Sequence, residues 1–195
     1  MRKLFLLSMA IVFVGMAGYV RQSSAQFSNQ PSGGMSIEAV KQAAEQGDAQ
    51  AQYVLGAMYA HGNGGLAKND RKAMEWFRKA AEQGDSKAQH AVARGYRYGL
   101  GVAKDEKRAR EWYSKAEAGL RKLAEQGDAQ AQFSLFDVLS TIGDGAADVT
   151  NETQAKAWLK TKAGVEAVKW LKKAAAQGHQ LAQEGLNHAK QAGLI

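Results

Sequence analysis

The tract A-E-Q-G-D-A-Q-A-Q occupies Ala44–Gln52 and returns unchanged at Ala124–Gln132. Two variants, AEQGDSKAQ at Ala81–Gln89 and AAQGHQLAQ at Ala175–Gln183, keep the same frame. Counted from Gly47, Gly84, Gly127 and Gly178, every copy holds Ala at −3, Gln at −1, Ala at +4 and Gln at +5. The glycines lie 37, 43 and 51 residues apart. Self-similarity at such spacings is the mark of a repeat architecture, in which one supersecondary unit is stacked on the next.

The tract reads as a helix junction. Its alanines and charged residues favour helix and contain no proline. The glycine suits the left-handed position just past a helix end. Asp48, Asp85 and Asp128 follow at once, where a short acceptor side chain caps the amides of the next helix. Small residues at Ala51, Ala88 and Ala131 let the two helices of the junction approach closely.

Forward of each glycine runs a helix A with apolar residues at helical spacing. They are Ala51, Leu55, Met58 and Tyr59 in the first copy, Ala88, Val92 and Tyr96 in the second, and Ala131, Leu135 and Leu139 in the third. Glycine-rich turns close the first two, at His61–Gly65 and Tyr98–Gly101. A helix B follows, bearing Ala73, Trp76, Phe77 and Ala80, then Ala109, Trp112, Tyr113 and Ala116. The Trp–aromatic pairs, with Trp170, are expected to be inter-helix core and to supply most of each unit's buried apolar area, rather than to form a stacking platform for sugars.

The segment AQYVLGAMYAHGNGG…AKNDRKAMEWFRKAAEQGD and its second copy AQHAVARGYRYGLGVAKDEKRAREWYSKA resemble the Sel1-like repeat family, relatives of the tetratricopeptide repeats. The family pattern is A-Q-x-x-L-G-x-x-Y, then G-x-G, then K-A-x-x-W-[YF]-x-K-A-A-x-Q-G; the second copy has Ala93 in place of the first glycine. The resemblance spans roughly residues 37 to 186. It implies an all-α fold, a right-handed α-solenoid of stacked antiparallel helix hairpins, used as an adaptor or scaffold. Some cysteine-rich members are linked to β-lactams through disulfide-linked hairpins, which a chain with no cysteine lacks.

The repeat domain is expected over 36–195, with units near 48–84, 85–127 and 128–178 and a capping helix at 179–192. Helix B of the second unit is seven residues longer than that of the first, two turns that keep its face. The third unit departs most. It loses the Gly–Tyr pair of the first copy (Ala–Tyr in the second), carrying Phe136 and Leu139 instead, and an irregular section follows at 143–164 with an extra Trp158. Its helix B is expected to be split, over 151–162 and 165–177. Ser36–Gln46 reads as a helix B without its helix A, and 179–192 as a helix A with a polar face, suiting the two ends of a stack.

Residues 1–25 read as a secretory signal peptide: Arg2 and Lys3, an apolar run from Leu4 to Val20, then Ser23-Ser24-Ala25 before the cleavage point. Retention as an anchor is the alternative, because 17 residues is the short end of a membrane span. After removal no stable span is expected. Residues 26–35 hold the only proline and read as a flexible leader. The expected location is periplasmic or secreted, in a bacterial envelope setting. In an oxidising compartment the absence of cysteine excludes disulfides and thiol chemistry, so packing alone must hold the fold. Losing Arg2, Lys3 and Arg21 takes the basic count from 26 to 23 against 19 acidic, a mild +4 that does not point to nucleic acid.

No catalytic, cofactor or metal residue is expected. His61, His90, His179 and His188 form no paired helical motif and read as surface or capping residues. Gly62/Gly64 and Gly99/Gly101 follow helices rather than strands, so they are turn glycines, not a phosphate loop. Ser134, Ser140 and Thr141 lack the surroundings of an activated nucleophile. Binding is instead sought at helix A positions that vary between copies, because a solenoid keeps its framework and changes its lining. Tyr53, Val54, Ala57 and His61 correspond to His90, Ala91, Arg94 and Tyr98, with Phe133, Ser134 and Asp137 at the first three positions in the third copy. Lys87, His90, Arg94, Arg97 and Tyr98 form a basic and aromatic cluster at i, i+3, i+4 spacings; with Tyr53 and His61 they are the candidate surface for a protein or peptide partner. A cell-wall-directed enzyme or ligand-binding protein, with its site in 143–164, is one alternative. A structural part of an envelope secretion or motility assembly is another.

Overall fold

A computed structural model describes residues 36–143 and 152–195; the expected signal peptide, the leader and most of the turn that begins at Gly143 lie outside the described residues. Among those described there are nine α-helices and no strand. They are α1 (Ile37–Glu45), α2 (Ala49–His61), α3 (Asp70–Glu82), α4 (Ser86–Tyr98), α5 (Glu106–Glu125), α6 (Ala129–Ile142), α7 (Glu152–Trp158), α8 (Lys162–Ala176) and α9 (Gln180–Gln191). The chain divides into two compact units within α5, between Gly119 and Leu120. In the first, α2 packs on α1 and α3, and α3 on α4; in the second, α8 packs on α6 and α9.

The repeated tract is a helix–turn–helix joint with every polar group assigned. Gly47, Gly84, Gly127 and Gly178 take φ of 98°, 92°, 95° and 83°, the left-handed region a side chain resists. At the first joint Gly47 N–H donates to Ala44 O and Asp48 N–H to Ala43 O, the double closure that satisfies a helix's last carbonyls. The same pair of bonds recurs at the other three joints. The carboxylates of Asp48, Asp85 and Asp128 then accept from Ala51, Ala88 and Ala131 N–H at 2.6, 2.7 and 2.8 Å. His179 does the same for Ala182 with its Nδ1, at 3.4 Å.

The fixed glutamines at +5 share one task. Gln52, Gln89, Gln132 and Gln183 donate through Nε2 to the carbonyls of Ala44, Ala81, Ala124 and Ala175, at 3.0, 3.2, 3.0 and 3.1 Å. Each amide reaches back across its joint to a buried alanine, which is why both positions recur together. The glutamine at −1 extends the chain of bonds to the next hairpin: Gln83 donates to Gln52 Oε1, and Gln177 to Gln132 Oε1, both at 2.8 Å.

Around these joints the first unit buries Val40, Ala44, Ala51 and Leu55 with Met58, Tyr59, Leu66 and Trp76 against them. The second buries Leu171, Ala174, Ala175 and Ala182 against Phe133, Phe136 and Leu186. The expected role of the aromatic pairs needs correcting. Tyr113 and Trp170 are buried, but Trp76, Phe77 and Trp112 are only half-buried. The lysine one turn on lies over each indole, Lys79 at 3.9 Å from the Trp76 ring centre, Lys115 at 4.2 Å from Trp112 and Lys173 at 4.6 Å from Trp170. A cation over the ring face explains how a large indole stays at a solvent boundary. Gly56 has a packing role here: a Cβ on it would lie 2.7 Å from the Phe77 ring.

α5 has 20 residues against 13 for α3, the lengthening expected of the second helix B. The split in the third unit is present with different bounds, the first piece ending at Trp158. Thr161 makes the break: its hydroxyl donates to Trp158 O at 2.7 Å and accepts from Gly164 N–H at 3.1 Å, capping α8 three residues ahead of the expected start. A side chain at Gly164 would run into the Trp158 carbonyl.

Candidate functional site

The seven candidate residues separate into three groups. His61 ends α2, and Arg94, Arg97 and Tyr98 occupy the last turns of α4. The two guanidiniums both approach the Tyr98 ring, Arg94 at 5.8 Å and Arg97 at 5.3 Å from its centre. Arg94 also acts on His61: burial, then the positive charges of Arg94 and Lys68, hold the imidazole below its ordinary pKa, against a smaller opposing effect of Asp70. His61 is therefore neutral at pH 7, and the charge of the cluster sits on the arginines and Lys68. All four residues are half-buried, with enough surface for contact and enough packing to fix them.

The second group is packing. His90 is 6% exposed, so its reading as a surface and partner-facing residue is wrong. Its ring lies 5.6 Å from that of the fully buried Tyr113, at 57°. Tyr53, at the same repeat position, lies 5.8 Å from Phe77. At both copies the residue at this position lies against the aromatic of its own helix B. Lys87 lies in the first turn of α4, two turns before Arg94 and at the other end of the helix.

The other histidines keep structural places. His179 stacks on Phe133 at 4.5 Å and 21°, its Nε2 lies 3.2 Å from Gln130 Oε1, and burial lowers its pKa. His188 Nδ1 lies 2.9 Å from Glu184 O. Among the described residues no group of three or more His, Cys, Asp or Glu side chains could hold a metal ion, and no helix is long and apolar enough to cross a membrane. Ser134 and Thr141 are buried in α6, and the Thr141 hydroxyl donates to Asp137 O at 2.8 Å. The cluster on α2 and α4 brings together two guanidiniums, a phenol ring and a neutral imidazole.

The sequence comparisons agree with the hairpin architecture. The Sel1 repeat family model matches residues 49–85, 86–118 and 162–179. It passes over α6, in line with the drift of the third unit. A Sel1 repeat protein from Oxalobacter formigenes is 34% identical over 77% of this chain and 96% of its own, with a TM-score of 0.44. A protective antigen of uropathogenic Escherichia coli with an SLR fold is 28% identical over 80% of this chain, at a TM-score of 0.40; this chain spans 44% of that protein. No curated protein matches at significance.

Proposed function

The chain belongs to the Sel1 repeat family, and on that premise we propose that it is an exported adaptor, working in the bacterial cell envelope or outside the cell, that holds an acidic segment of a partner protein against His61, Arg94, Arg97 and Tyr98. Sel1 repeat proteins generally mediate protein–protein interaction. The observation that carries the choice of face is the convergence of Arg94 and Arg97 on the Tyr98 ring. A guanidinium held beside an aromatic ring presents its N–H groups in its own plane as a fork that fits a carboxylate. Arginine and tyrosine are also the side chains over-represented among residues that dominate interface energies.

Export is supported by Arg2 and Lys3, the apolar run to Val20 and the small residues Ser23 and Ala25. Mass spectrometry of the protein recovered from a periplasmic fraction should give Gln26 as its first residue; recovery with Met1 or Arg2 in place would remove that part of the reading. The binding face is tested by cross-linking in the native envelope, identifying the partner, and repeating recovery with Arg94→Ala and Tyr98→Ala. Partner recovery unchanged by both substitutions would exclude this face.

A further inference from the structure

In the C-terminal unit, α7, α8 and the last three residues enclose a cleft of about 780 Å³. Its apolar lining is the half-buried Leu159, Val168 and Leu194 with the exposed Val165 and Ile195. Its rim is lysine: Lys156 from α7, Lys160 from the turn after it, and Lys169, Lys172 and Lys173 from α8. No acidic side chain lines it. Among the described residues no salt bridge engages Lys160, Lys169, Lys172 or Lys173. The single acid of α8, Glu166, bonds to Arg121 and Trp170 and also feels the charge of Lys169 one turn on. Val165 is 58% exposed and Ile195 40%, large apolar side chains that water covers poorly.

We propose that this cleft is a docking site for an acidic, amphipathic segment of a partner protein, its apolar side chains on Val165 and Val168 and its carboxylates on the lysine rim. The pattern of the surface selects this occupant. Along α8 the residues 165, 168, 169, 172 and 173 fall on one face, so two apolar side chains are followed by three cations over about 12 Å. That length exceeds what one small anion spans and suits about two helical turns of a bound segment. The site shares no residue with the Arg94–Tyr98 cluster and stands independently of it.

The test uses the whole chain and a fluorescein-labelled synthetic peptide carrying leucines at helical spacing with glutamates between them, read by anisotropy. Saturable binding is expected, weakened by salt, absent when lysines replace the glutamates, and reduced when serines replace the leucines. Lys169→Glu with Lys172→Glu should lower affinity about tenfold or more, since like charges then face the peptide. Val165→Asp should do the same. Each substituted side chain is exposed, and an unchanged circular-dichroism melt verifies the fold. Equal binding of the serine peptide, or affinity unaffected by the lysine reversal, would overturn the proposal. So would loss of affinity on Arg97→Glu instead, or lysine-dependent binding to phosphatidylglycerol vesicles in place of the peptide.

Discussion

Gln83 donates through Nε2 to Gln52 Oε1 at 2.8 Å, and Gln52 Nε2 donates in turn to the Ala44 carbonyl at 3.0 Å. Two residues 31 apart thus tie the end of α3 to the joint between α1 and α2 through a side chain only 5% exposed. Gln177, Gln132 and the Ala124 carbonyl repeat the arrangement in the second unit. The bonds make neighbouring hairpins hold the same relation in each unit, which apolar contact between alanine-rich helices would specify loosely.

Replacing the buried amide therefore costs more than its volume. Gln52→Ala and Gln132→Ala each remove two bonds, leaving the buried carbonyl with only its Gly47 or Gly127 N–H donor and returning the exposed amide of Gln83 or Gln177 to water, an expected loss of about 1–2 kcal/mol. Gln52→Glu should be worse at pH 7, because a carboxylate would face the Ala44 carbonyl, and should recover partly in acid as it protonates. Urea unfolding of the four proteins measures the differences. A Gln52→Ala protein as stable as the parent would remove the relay from the account of the fold.

The caps give a graded series. Asp85→Ala removes the acceptor for Ala88 N–H and should cost about 1 kcal/mol. His179 accepts from Ala182 N–H at the longer 3.4 Å, and an imidazole carries no negative charge to meet the helix N-terminus. His179→Asp should therefore improve the cap while losing the stack on Phe133. The sign of its net effect at neutral pH, read from thermal melts, reports which of the two is larger.

Acid should weaken the fold in two stages. His61 and His179 are held below the ordinary histidine value of 6.5, so the unfolded chain binds more protons in that range. Their contribution is complete above pH 6.5 and is lost as pH falls from there through their folded pKa values. Glu166 is held below the ordinary 4.5, first by its hydrogen bond to Arg121, and its contribution is lost as pH falls below 4.5. Unfolding free energy measured from pH 8 to pH 3 should fall in both windows. His179→Asp should flatten the upper one, and Glu166→Gln the lower.

The repeat frame, the four joints, their caps and the lengthened α5 were legible in the sequence because each rests on local chemistry: a glycine that must be left-handed, an acid that must precede a helix, an unbroken apolar period. What was not legible depends on neighbours distant in sequence. Gln46, Gln52 and their equivalents stood out as fixed, but nothing local tells that Gln52 meets Gln83. His90 looked like lining because its position varies; the ring it lies against, Tyr113, is 23 residues away. Nothing local marks Lys169, Lys172 and Lys173 as a group, and only the structure sets α7 and residues 193–195 beside them.

The corrected face can be separated from its packing by substitution. His90→Ala opens a space beside the fully buried Tyr113 and should destabilise the chain by about 1–3 kcal/mol, lowering partner recovery only through loss of folded protein. Arg97→Ala removes a half-buried cation from the Tyr98 ring and should change stability by about 0.5 kcal/mol or less. It should nonetheless weaken the partner, because the guanidinium that leaves is one of two arranged to meet a carboxylate. Thermal melts and partner titrations on the same preparations distinguish the cases. An Arg97→Ala protein that melts like the parent and binds like the parent would show that Arg94 alone, or another face, makes the contact.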